Sequence, residues 1–250
     1  MVDTTILEWS YSPAGYFEEP VALTREKYQA TIQNGKIEVK LDHKTYESNP
    51  GIEADIEKSL NLRFLGAQLS THKTYQLSFS SRQSIHPDGR KDVVITPGPA
   101  EVICLGCTVD IVVKSADGST IRDSRKERIK AVEELADLVE KYGSDALAQS
   151  LLQSNKLAVD ESSIELVHLY EIRDALTKKF GGENLACSTL GLSKSDWKKL
   201  GRIANDEPLK QGRHRGLHFG ALREANEIEL REAREIARHF TIAYLRHLEK

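Results

Sequence analysis

The sequence predicts an α+β protein: a small mixed or antiparallel N-terminal sheet with one helix, followed by a C-terminal domain resembling a four-helix bundle. Three observations carry this expectation. Apolar residues alternate with period two through much of the first part of the chain, and hairpin-type turns separate the alternating runs. After Arg122 the apolar period becomes that of an amphipathic helix. The expected domains are therefore residues 1–122 and 123–250.

The first hairpin is the clearest. Tyr28, Ala30 and Ile32 alternate with polar residues, Asn34-Gly35 follows, and Ile37, Val39 and Leu41 alternate again. An Asn-Gly pair supplies the two positive φ angles that a tight hairpin turn requires. A second pair of strands is expected around Pro87-Asp88-Gly89, from Tyr75–Phe79 to Val93–Ile95. A third hairpin runs from Cys107–Lys114 through Asp117-Gly118 to Ile121. Between the first two, Pro50 suits a first helical position, Ser48 or Asn49 a cap, and Ile52, Ile56 and Leu60 one buried face.

Four helices are expected beyond Arg122. Ile129, Val132, Leu135, Val139 and Tyr142 form the first stripe, stopped at Gly143. The second starts at Ser162 with Glu165 completing a capping box, carries Leu169, Ile172, Leu176 and Phe180, and ends at Gly181-Gly182. A third spans about Ser193 to Ala204. The last opens at Asn226 with Glu229 as cap partner and buries Ala233, Ile236, Phe240, Tyr244 and Leu248.

Composition bounds the function. A net charge of -3 and a pI of 6.3 do not describe a basic nucleic-acid coat. No apolar run approaches the roughly 18 residues of a membrane span, and Met1–Thr5 lacks signal-peptide character. Three cysteines make no disulfide framework, so a cytoplasmic protein is expected. Charge is nonetheless uneven: Lys198 to Arg223 holds seven Lys/Arg against Asp206 and Glu207. A polyanion would meet the chain there, on Lys198, Lys199, Arg202, Lys210 and Arg215.

Within that segment, Gly212-Arg213-His214-Arg215-Gly216-Leu217-His218-Phe219-Gly220 concentrates donors suited to phosphate with imidazoles that titrate near neutrality. Spacing alone does not single out Arg213 and His218, because Arg234 and His239 repeat it on what is expected to be a solvated face of the last helix. Placement just before a capped terminal helix, with polar His214 after the arginine, does. In this the segment resembles the HEPN superfamily, helical domains with an Arg, a polar residue and a His four to six positions after the Arg. The resemblance covers roughly residues 125–250. It implies a metal-independent, cofactor-free ribonuclease of toxin or defence type, completed by homodimerisation, in which Arg213 clamps phosphate and His218 is the general acid or base. His214 takes the polar second position. This sequence departs from the family in that Gly212, Gly216 and Gly220 disfavour a helix, at about 1 kcal/mol each.

Other patterns compete. Leu185 to Ala204 reads as a short helix, a Leu190-Gly191-Leu192 turn and a second helix. Cys187, Gly191 and Trp197 have the spacing of a DNA-binding helix-turn-helix, with Lys194, Lys198, Lys199 and Arg202 on the second helix. A non-catalytic nucleic-acid binder or a self-associating helical protein is the alternative. Glu171 and Asp174 lie on adjacent turns and are candidates to orient Arg213 or His218, or to form ion pairs on their own helix. Cys104 and Cys107 form a CxxC in apolar, strand-like sequence, read as two small thiols in a sheet rather than metal ligands.

Overall fold

The computed structural model describes residues 3–96, 110–115, 117, 119–213 and 221–250. It is α+β, with an N-terminal antiparallel sheet followed by a helical C-terminal region. The chain forms two compact units, Met1–Asn61 with Tyr75–Ala131, and Leu62–Thr74 with Val132–Lys250.

In the first unit, β1 (Thr4–Ser12), β2 (Val21–Thr24), β3 (Gln29–Gln33), β4 (Lys36–Asp42), β5 (Gln76–Ile85) and β6 (Lys91–Ile95) form one sheet of order β2-β3-β4-β1-β5-β6. Every neighbouring pair is antiparallel. The expected Asn34-Gly35 hairpin joins β3 to β4, with φ of 49° and 79° at the turn. The expected turn at Pro87-Asp88-Gly89 joins β5 to β6. A separate ribbon pairs β7 (Val112–Lys114) with β8 (Thr120–Asp123), which is the described part of the third hairpin; Cys104 and Cys107 lie outside the described residues.

Register shows how the sheet separates its faces. Leu7 sits opposite Val39 and Trp9 opposite Ile37, and all four are buried. Glu8 opposite Glu38 and Ser10 opposite Lys36 occupy the other face. The N-terminal region carries more helix than expected. α1 (His43–Ser48) is capped by Asp42, which accepts from the Thr45 amide. α2 (Ile52–Thr71) starts just after Pro50, buries Ile52, Ile56 and Leu60, and continues into the second unit.

The second unit packs the end of α2 with α3 (Ser124–Tyr142), α4 (Ala146–Asp160), α5 (Glu165–Phe180), α6 (Glu183–Leu190), α7 (Lys194–Gly201) and α8 (Glu227–His247). Its core includes Leu69, Val139, Leu151, Leu169, Trp197 and Phe240. α4 is not expected from the sequence; Asp145 caps it by accepting from the Leu147 and Ala148 amides. The capping box at Asn226 and Glu229 forms as expected. The one expected at Ser162 does not. Ser162–Ile164 is a 3₁₀ turn, α5 begins at Glu165, and the Glu165 carboxylate is taken by a tertiary ion pair.

Gly66 lets α2 and α3 approach closely. A Cβ there would stand 2.6 Å from Ala136 Cα and 2.8 Å from the Leu135 carbonyl oxygen. Both are backbone atoms, so the helices would have to separate. Gly66→Ala is expected to lower stability by about 2–3 kcal/mol, read as a reduced urea midpoint. An unchanged midpoint would disprove the close packing.

Candidate functional site

Arg213 stands at the foot of a loop whose ends are tied together. Leu209 and Arg223 form a parallel bridge, with the Lys210 amide donating to the Arg223 carbonyl at 3.0 Å and the Arg223 amide to that of Pro208 at 3.0 Å. Side chains strengthen the neck. Gln211 Nε2 donates to Glu224 at 2.7 Å, Gln211 Oε1 accepts from the Ala225 amide, and Lys210 Nζ meets Glu224 at 2.9 Å. Arg223 makes a bidentate pair with Glu229, which already serves the α8 capping box. The Arg223 bonds hold the Glu229 carboxyl down at about 2. His214, Arg215, Gly216, His218 and Gly220 lie outside the described residues.

Two groups orient the Arg213 side chain. Its Nη1 donates to Asp174 Oδ2 at 2.8 Å, and its guanidinium lies 5.0 Å from the centroid of the Tyr170 ring. Asp174 and Tyr170 share one face of α5 at helical spacing. Tyr170 meets a second guanidinium, that of Arg173, at 5.1 Å, and the Tyr170 hydroxyl accepts from Arg173 Nη1 at 3.2 Å. Arg173 also lies 5.6 Å from Trp197, which stacks on Phe240 at 5.0 Å and 29°. A continuous ladder therefore runs from the core to the exposed Arg213: Phe240, Trp197, Arg173, Tyr170, Arg213. Gly201 makes room for it, since a Cβ there would stand 2.4 Å from Arg173 Nη1.

The sequence-predicted residues divide into those brought together and those held apart. Asp174 meets Arg213. Glu171 instead accepts from Ser154 at 3.4 Å and lies 3.4 Å from His168 Nδ1, away from Arg213's partners. Arg202 pairs with Glu207 at 2.7 Å and Lys199 with Glu232 of α8 at 2.7 Å. Lys199, Lys210, Arg213 and Arg223 thus meet carboxylates from outside the segment, whereas Arg202 uses Glu207 within it. Lys194 and Lys198 are exposed.

The expected short helix, Gly191 turn and second helix form. Gly191 ends α6 in the left-handed region at φ 67°, the Leu192 amide donates to the Cys187 carbonyl at 2.9 Å, and Ser193 caps α7. The expected third helix departs at its end, where Arg202–Asp206 widens into a π-helical turn. Arg213 donates its amide to the Ala204 carbonyl within this turn, at 2.9 Å. Arg234, expected on a solvated face, is instead bound to a buried partner. It donates from Nε and Nη2 to the Glu165 carboxylate at 2.6 and 2.8 Å.

Tyr170, Arg173 and Gly201 are the functional neighbours that sequence reasoning passes over. The only signal was the aromatic–arginine spacing of three within Tyr170-Glu171-Ile172-Arg173-Asp174. Among the described residues no group of three or more His, Cys, Asp or Glu is arranged to hold a metal ion. No described helix is long and apolar enough to cross a membrane. No family model, curated protein or solved structure matches the chain.

Proposed function

We propose that this chain is a metal-independent endoribonuclease of toxin or defence type, acting in the cytoplasm as a homodimer, with an N-terminal unit that senses a ligand or partner. His218 accepts the ribose 2′-hydroxyl proton as that oxygen attacks phosphorus, and the bond from phosphorus to the 5′-oxygen breaks. The products are a 2′,3′-cyclic phosphate and a 5′-hydroxyl that takes its proton from solvent. The Arg213 guanidinium balances the charge developing on the phosphorane. His214, Arg215, Lys210, Lys198, Lys199 and Arg202 contact the RNA backbone. The observation that supports this best is the fixed head of Arg213. Its planar fork is held by Asp174 and Tyr170 at the foot of the loop whose sequence carries both histidines. A guanidinium oriented before substrate arrives loses little freedom on binding phosphate.

The test is cleavage of single-stranded RNA by the full chain in EDTA. Arg213→Ala and His218→Ala are each expected to slow cleavage about 100- to 1,000-fold while the protein stays folded and binds RNA. Absence of cleavage by the unaltered chain, or cleavage indifferent to both changes, overturns the reading.

A second reading is favoured by the formed α6–Gly191–α7 turn with exposed Lys194 and Lys198: a nucleic-acid-binding module without catalysis. In that case affinity falls with each cation removed and drops steeply with salt, and no strand is cut.

A further inference from the structure

The polar face of the six-stranded sheet is hollowed into a cavity of about 570 Å³, within the range of small-molecule sites. It lies wholly within the first unit, far along the chain from Arg213. The register shift between Glu8 and Trp9, opposite β5, curls the sheet at its floor.

The lining has three distinct chemistries. Half-buried Glu8 accepts from the hydroxyl of buried Ser81, and no described cation lies within ion-pair distance of it. Neighbouring Glu38 is different, because Lys40 holds it at 2.8 Å. Lys36 lines the same cavity, two residues from Glu38 on β4, and no described carboxylate pairs with its ammonium. Val93 and Ile95 form an apolar wall on β6, both well exposed.

A lone carboxylate and a lone ammonium on adjacent strands stand roughly 7–8 Å apart at their backbones, on a diagonal. They do not neutralise each other. A ligand carrying both charges satisfies each; half-buried Glu8, partly desolvated, rewards pairing more than exposed Lys36. We propose that this cavity binds a small zwitterion with an apolar arm, the chemical class of an apolar α-amino acid. The ammonium sits on Glu8, the carboxylate on Lys36, and the arm lies against Val93 and Ile95. The site is independent of the ribonuclease reading.

Calorimetry on the full chain with L-leucine tests this. Isopentylamine, which keeps only the cation, and 4-methylpentanoate, which keeps only the anion, serve as probes of the two ends. Leucine is expected to bind at least about tenfold more tightly than either, with Glu8→Gln and Lys36→Met each removing about that factor. Val93→Ser is expected to weaken leucine but not glycine. Circular dichroism on each variant separates lost binding from lost folding. No leucine binding to the unaltered chain, leucine binding unaffected by both charge changes, or isopentylamine binding as tightly as leucine would each overturn the proposal.

Discussion

Replacing Trp197 with alanine is expected to lower stability by about 4 kcal/mol, the largest single effect in the helical unit. Trp197 is fully buried, stacks on Phe240, and has the Arg173 guanidinium 5.6 Å from its ring. Truncation removes the transfer free energy of an indole and leaves a cavity that α7, only eight residues long, can collapse into only partly. The effect reaches the loop as well. Without the indole, Arg173 loses one of the two rings it bridges, and Tyr170 is less firmly placed beneath Arg213. Trp197→Phe keeps a ring against Phe240 and is expected to cost less than half as much. Urea unfolding followed by far-UV circular dichroism checks both; a loss below about 1 kcal/mol for alanine would show that the stack contributes little.

The second large effect is at Glu165. This carboxylate is 1% exposed and takes a bidentate pair from Arg234, while His72 Nε2 lies 3.1 Å away. His72 reaches it from the end of α2, where its backbone enters the left-handed region at φ 51°. Burial alone would raise the Glu165 carboxyl, but the bonds from Arg234 and His72 outweigh it and hold the group below its ordinary 4.5. Glu165→Ala strands Arg234 with only Glu227, at 3.4 Å. Breaking a buried pair costs about 3–5 kcal/mol, and because Arg234 keeps some access to water the lower end, about 3 kcal/mol, is expected.

The pH dependence follows from the same group. A carboxyl lowered by folding stabilises the native state above its unfolded value near 4.5 and loses that contribution as pH falls below it. Glu229, held at about 2, and Asp145, lowered by the Ala148 and Leu147 amides and the Tyr244 hydroxyl, act in the same direction. Thermal unfolding should therefore shift to lower temperature between about pH 4.5 and 2, and Glu165→Gln should flatten that decline. An identical acid profile in the variant would exclude Glu165 as a contributor.

How much the sequence revealed depended on whether a signal was local. The Asn34-Gly35 hairpin and the Asn226–Glu229 cap are complete within a few residues, and both form as expected. β1 escapes detection although it is central to the sheet. Its core-facing set begins with polar Thr5, while Ile6 falls on the polar face, which blurs the alternation. α4 is hidden for a related reason, since buried Ser154 and Asn155 interrupt its apolar stripe. At Ser162 a plausible local cap loses to a partner on α8, because Glu165 gains more from Arg234 than from a helix end. The Arg213 neighbourhood was half legible. Asp174 and Arg213 could be named, but the ladder through Tyr170, Arg173 and Trp197 joins α5 to α7 and has no sequence period.

The helical unit is not a contiguous stretch of sequence. Leu62 and Leu69, from the far half of α2, belong to its core, and His72 belongs to its buried ion-pair cluster, although the β5–β6 hairpin and the β7–β8 ribbon intervene before α3. A gene fragment encoding only the last half of the protein would yield helices missing a structural wall and one partner of Glu165. No single break in the chain separates the helical unit from the sheet unit.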